Sequence, residues 1–129
     1  MSVTVMKFRA GPHVYAVAAG CVAAVGPPRM GVPHLGWVLS KQLPEPIAGT
    51  RTLQLASREH RVEVIVDGPV ELVDLEPSDI APCTTTTSSR ILGFARGDDG
   101  VFVLLDAVAI VGAVRESEAV DLAKTDTAT

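Results

Sequence analysis

Aromatic residues make up only 4% of this 129-residue sequence, basic residues never cluster, and no apolar run is both long and unbroken. Each absence excludes a class of protein. A nucleic-acid surface needs several cations on one face to release counterions. Here 11 Lys and Arg are scattered from Lys7 to Lys124 among 15 Asp and Glu, for a net charge of −4. The longest uncharged stretch, 10–28, is interrupted by Gly11, Pro12, Gly20, Gly26 and Pro27, so it cannot supply the roughly 20 continuous apolar residues of a spanning helix. Residues Met1 to Arg9 alternate polar and apolar and lack the basic and apolar regions of a secretory signal. These absences predict a soluble chain of the cytoplasm with no nucleic-acid partner and no direct membrane insertion.

Site chemistry is equally sparse. The two cysteines, Cys21 and Cys83, have no CxxC spacing, which in a reducing compartment reads as two small hydrophobes. His13, His34 and His60 show no i, i+4 pairing of the zinc-binding kind, and His34 beside a proline and His60 in a turn read as solvated or capping groups. Ser57, His60 and Asp67 are the residue types of a hydrolase triad, but Ser57 and His60 share one tight turn and there is no GxSxG elbow. No GxGxxG, GKS or GKT occurs to cradle phosphate. Asp98-Asp99-Gly100 reads as a hairpin turn before it reads as a cation site. With no convergent acids, bases or nucleophiles, the expectation is a binding protein with no catalytic residue, metal or cofactor.

What the chain does contain is short β patterns punctuated by 11 glycines and nine prolines. Val3 to Arg9 and His13 to Ala18 read as strands around an Ala10-Gly11-Pro12 turn. Gly20 to Val25 is short and apolar, Gly26 to Pro33 is a surface connection, and Leu35 to Leu39 is predicted as a strand carrying the single Trp37. The stretch Leu43 to Gly49 breaks regular structure. Arg51 to Ala56 and His60 to Val66 form a hairpin, Asp67-Gly68-Pro69 reads as a turn, and Val70 to Leu75 as the next strand. Cys83 to Arg90, rich in Thr and Ser, reads as a solvated loop. Ile91 to Ala95 and Val101 to Leu105 make a further hairpin, and Asp106 to Val114 a short helix on the end of the sheet. From Arg115 the pattern fades into a helical fragment or frayed tail. An extended chain of this mass exposes about 19,600 Å² and a folded one about 6,500 Å², so a single domain can bury enough surface to fold unaided.

The order of these motifs resembles that of CheW-like domains, the chemotaxis adaptors. Phe8-Arg9-Ala10-Gly11, Val14-Tyr15-Ala16-Val17 and Val22-Ala23-Ala24-Val25 resemble the family's opening. Val62 to Leu72, with Val66-Asp67, resembles its later strand, while Ile91-Leu92-Gly93-Phe94-Ala95 and Val101-Phe102-Val103-Leu104-Leu105-Asp106 resemble its terminal hairpin. The resemblance runs from about Val5 to Val111. It implies an all-β fold of two small SH3-like five-stranded barrels with a short C-terminal helix: a CheW-like domain over 1–113, with a first barrel of about 1–50 and 100–113, a second of about 51–99, and a tail over 114–129. It also implies a non-catalytic adaptor in the cytoplasm, recruited to receptor arrays, that links a chemoreceptor cytoplasmic tip to a CheA-type histidine kinase.

Within that resemblance Val22 and Val25 match the family's receptor-groove valines, and Trp37, Leu39 and Lys41 complete the candidate partner-binding set. Core packing is the competing reading for each, Trp37 above all. The chain also departs from the pattern. Residues 36–47 are shorter than the family's segment and lack its Leu-Arg-Gly, so Lys41 is the sole stand-in for the arginine, without the bidentate guanidinium. An incomplete first barrel follows as an expectation. Two other readings remain: an accessory scaffold that binds one partner only, and an enzyme or small-molecule barrel built on His13, His34 and His60.

Overall fold

The computed structural model describes residues 2–40, 50–82, 90–97 and 100–116. Three hairpins carry most of it. β1 (Val3–Ala10) and β2 (His13–Ala18) pair antiparallel across a turn in which Gly11 takes a φ of 65°, open to glycine without strain. After one turn of 3-10 helix comes β3 (Val22–Gly26). β4 (Arg51–Ser57) and β5 (His60–Leu75) pair from Arg51↔Val66 to Ser57↔His60, which leaves Arg58-Glu59 as the turn. β6 (Ile80–Pro82) is a short strand with no clear sequence signal, and β7 (Ile91–Gly97) and β8 (Gly100–Leu105) form the third hairpin.

Two expectations are corrected. Leu35–Ser40 is a helix, α1, not a strand. Six residues are too few for periodicity to decide, because Leu35-Trp37-Leu39 satisfies a strand and Leu35-Val38-Leu39 a helix. The helix spacing wins in three dimensions: Leu35 and Val38 are buried, Leu39 packs beside them, and Trp37 points outward. Second, Asp67-Gly68-Pro69 does not reverse the chain. β5 runs through it for 16 residues with a cis Gly68–Pro69 bond. The strand pairs with β4 up to Val66 and with β1 from Asp67, and the proline, which has no N–H to give, falls at the irregularity of the β1 ladder between Asp67 and Glu71.

The strand order is β3-β4-β5-β1-β2-β8-β7-β6, with β2 and β8 parallel over Tyr15↔Val103 and Ala16↔Leu104. Because β5 changes partner midway, the ladder divides into a three-stranded sheet (β3, β4, first half of β5) and a six-stranded one (second half of β5, β1, β2, β8, β7, β6). The six-stranded sheet has its own apolar cluster, which includes Val5, Ala16, Leu75 and Phe102. A larger core lies between the sheets, where Leu53, Leu55 and Val64 meet Phe8 and Val17.

Two helices cover that larger core. α2 spans 107–116, as the helical expectation over Asp106 to Val114 anticipates, and buries Ala107, Ile110, Val111 and Val114 at the i, i+3, i+4, i+7 spacing of one helical face. Asp106 starts it, its Oδ1 accepting from the Val108 N–H at 3.0 Å. Lys41, the Leu43 to Gly49 stretch, Cys83 with the Thr-rich run to Ser89, Asp98-Asp99 and the tail from 117 lie outside the described residues.

Candidate partner-binding surface

β3 stands at one end of the strand order and pairs, among the described residues, with β4 alone. Val22 and Val25, three residues apart, would face opposite sides of a regular strand. A bulge between Val22 and Ala24 changes that: Val22 opposes Leu55 and Val25 opposes Leu53, so both valines lie on the face of β4 that points into the core. Leu53 and Leu55 are 0% and 1% exposed, whereas Val25 on the same face is 42% exposed and Val22 is half-buried. The core layer is thus unfinished at β3, and Val22 and Val25 form its rim.

The second candidate element is α1. His34, just ahead of it, accepts the Gly36 N–H on Nδ1 at 3.0 Å, which leaves Nε2 as the protonated nitrogen, 3.3 Å from the Asp67 carboxylate. Asp67 is 1% exposed and also accepts the Gly11 N–H at 2.9 Å. One carboxylate therefore ties the β1–β2 turn, the point where β5 changes partner and the start of α1. The Ile65 N–H adds a bond to the Pro33 carbonyl at 2.8 Å. At the other end, Arg90 donates to the carbonyls of Val38 and Leu39 at 2.8 and 3.4 Å. Opposite charge at a helix C-terminus is favourable, and here it comes from the residue before β7. Sequence reasoning missed Arg90 and the Asp67 clamp because both act across more than 30 residues; the capping role expected of His34 is what it performs.

Of the five candidate anchors, Val22 and Val25 lie together on the β3 rim, and Trp37 is 41% exposed on α1. Leu39 is partly buried against the main core. Lys41 lies outside the described residues. The structure therefore leaves Val25 and Trp37 accessible, and gives Leu39 a packing role.

His34 and His60 do not converge. His34 is engaged by Asp67 and Gly36, and it bridges to Ile65, five residues along β5 from His60, a separation of about 16 Å at strand rise. Ser57 and His60 pair at the hairpin tip, seven residues along the same strand from Asp67, so the three cannot form a relay. His13 packs edge-on against Tyr15 with ring centroids 6.1 Å apart. Among the described residues no three His, Cys, Asp or Glu side chains come together as a metal site. Nor is any described helix long and apolar enough to cross a membrane.

No family model matches the sequence, and no curated protein does either. Among solved structures, the scaffolding protein TtCheW from Thermoanaerobacter tengcongensis superposes with a TM-score of 0.66 at 15% identity, covering 82% of this chain and 85% of that one. The chain has a CheW-like fold, mostly strand with a helix near its C-terminal end.

Proposed function

We propose that the chain is a non-catalytic adaptor in a chemotaxis-like signalling system. It links a chemoreceptor cytoplasmic tip to the regulatory domain of a CheA-type histidine kinase, through an apolar groove and β-surface contacts, in the cytoplasm at receptor arrays. The observation that carries this reading is the unfinished core rim at Val22 and Val25 on a CheW-like fold. A two-barrel arrangement within 1–113, with 114–129 as tail, belongs to the same proposal, as does the membership of Val22, Val25, Trp37, Leu39 and Lys41 in the interface.

A second reading is favoured by the inequality of the sheets. With three strands in one against six in the other among the described residues, an accessory scaffold that engages only one of the two partners is a coherent alternative. Co-precipitation with a receptor signalling tip and, separately, with a kinase regulatory domain distinguishes the two. The adaptor captures both, and Val22→Glu or Val25→Glu, each still folded by circular dichroism, loses the receptor tip. Capture of one partner selects the accessory scaffold; full binding by both variants removes the rim from the interface.

A further inference from the structure

We propose that His34 is a proton-operated cap on α1: its neutral ring holds the first turn of the helix, and its protonated ring lets that turn go while gripping Asp67 more firmly. The inference goes beyond the adaptor reading, and its test involves no partner protein.

The two ring nitrogens are committed to opposite tasks. A backbone N–H can only donate, so the Gly36 N–H at 3.0 Å requires a bare lone pair on Nδ1. The single proton of the neutral ring then sits on Nε2, 3.3 Å from each oxygen of Asp67. His34 directly precedes Leu35–Ser40, so the Nδ1 contact is an N-cap made with an imidazole, where Ser, Thr, Asp or Asn is usual. Ser, Thr and Asn never titrate there, whereas histidine changes charge between about pH 5 and 8. Protonation puts a second N–H on Nδ1, donor then faces donor, and the bond to Gly36 is lost. The cap is therefore present on the alkaline side of that window and absent on the acid side, where the attraction between His34 and Asp67 is greatest.

Which side yields is decided by what each is fastened to. Asp67 is 1% exposed and also accepts the Gly11 N–H at 2.9 Å, so a positive ring is held in place by a buried carboxylate. The helix has six residues, too few to be helical alone, and its first internal bond runs from the Val38 N–H to the His34 carbonyl at 3.1 Å. The first turn gives way. The rest of α1 stays, because Leu35 and Val38 are buried and Arg90 holds the carbonyls of Val38 and Leu39. The other charged groups on the elements that meet here are Arg9, opposite Asp67 in the β1–β5 ladder, His13 after the β1–β2 turn, and Arg29 and Glu63, which pair with each other at 2.6 Å. None of them bonds His34 among the described residues. Trp37 rides on the released turn, so acid loosens the mounting of an exposed aromatic.

The test is a nuclear magnetic resonance series on the full chain from about pH 8 to 5, following the ring nitrogens of the three histidines, the Gly36 amide and the exchange of the Val38 N–H. The neutral His34 ring should carry its proton on Nε2, and the Gly36 shift should follow His34 through its titration and not His13 or His60. Val38 protection, referred to the intrinsic exchange rate, should fall about fivefold from one end of the series to the other, the typical worth of an N-cap. His34→Asn, whose amide oxygen caps without titrating, should keep that protection level. A neutral ring protonated on Nδ1, a Gly36 shift that ignores His34, Val38 protection that is unchanged or rises in acid, or an Asn variant that retains the fivefold fall overturns the proposal. The series on the unaltered chain is decisive by itself should the variant fail to fold. Partner capture plays no part in it, so this inference and the adaptor reading can fail separately.

Discussion

The six-stranded and three-stranded sheets share β5 and yet are finished differently. In the larger sheet, β6 pairs Ile80↔Ala95 to Pro82↔Gly93 at the far end of the strand order, and the strands bury a cluster that includes Phe102 and Leu75. In the smaller sheet the inner face is dry at Leu53 and wet at Val25, one strand away. Each sheet ends on a strand with a single partner among the described residues, and the β3 end leaves a valine 42% exposed beside a buried row.

Breaking the joint should have the largest effect. Asp67→Ala orphans the Gly11 N–H and the His34 Nε2–H at once, and urea denaturation should show a loss of about 2–4 kcal/mol, with Asp67→Asn losing less. A loss under about 1 kcal/mol would mean that the sheets are joined by packing alone. Next comes the six-stranded sheet. A Cβ on Gly93 collides with the Ala81 backbone carbonyl, so Gly93→Ala should cost about 1–3 kcal/mol and speed amide exchange in β6. If exchange in β3 accelerates equally, the two sheets are not separable in stability.

The three-stranded sheet offers a gain. Thr52 is buried on β4 with no hydrogen-bond partner for its hydroxyl among the described residues, so the isosteric Thr52→Val should stabilise the fold by about 1 kcal/mol in the same denaturation assay. The smallest effect is a pH dependence in the six-stranded sheet. Burial pushes the Tyr15 phenol above its ordinary value of 10.0. The unfolded chain then ionises first, so Tyr15 leaves stability level below about pH 10 and lowers it progressively above. Tyr15→Phe should flatten that alkaline decline in a pH series of thermal midpoints, and an unchanged slope would show that the phenol is effectively solvated.

Local elements were legible where turn chemistry and alternation agreed, as in the hairpins around Gly11, Arg58-Glu59 and 97–100. Leu35–Ser40 was not, because its identity is decided by what it packs against and by caps from His34 and Arg90 that sequence order does not bring together. Val22 and Val25 were singled out through resemblance. Their common face depends on a bulge, and nothing in Val-Ala-Ala-Val announces which residue is the extra one. The parallel β2–β8 pairing, across more than 80 residues, is equally invisible to local pattern.

The continuity of β5 also bears on how this sequence can change over time. A one-residue insertion in an ordinary strand exchanges the two faces of one sheet. Within His60–Leu75 the same insertion misplaces side chains in one sheet or shifts the Asp67 clamp away from the partner switch, and the error is passed to the other sheet through the shared backbone. Length should therefore be held fixed in this segment while the connections outside it lengthen or shorten, and a deep collection of relatives should show gaps everywhere but there.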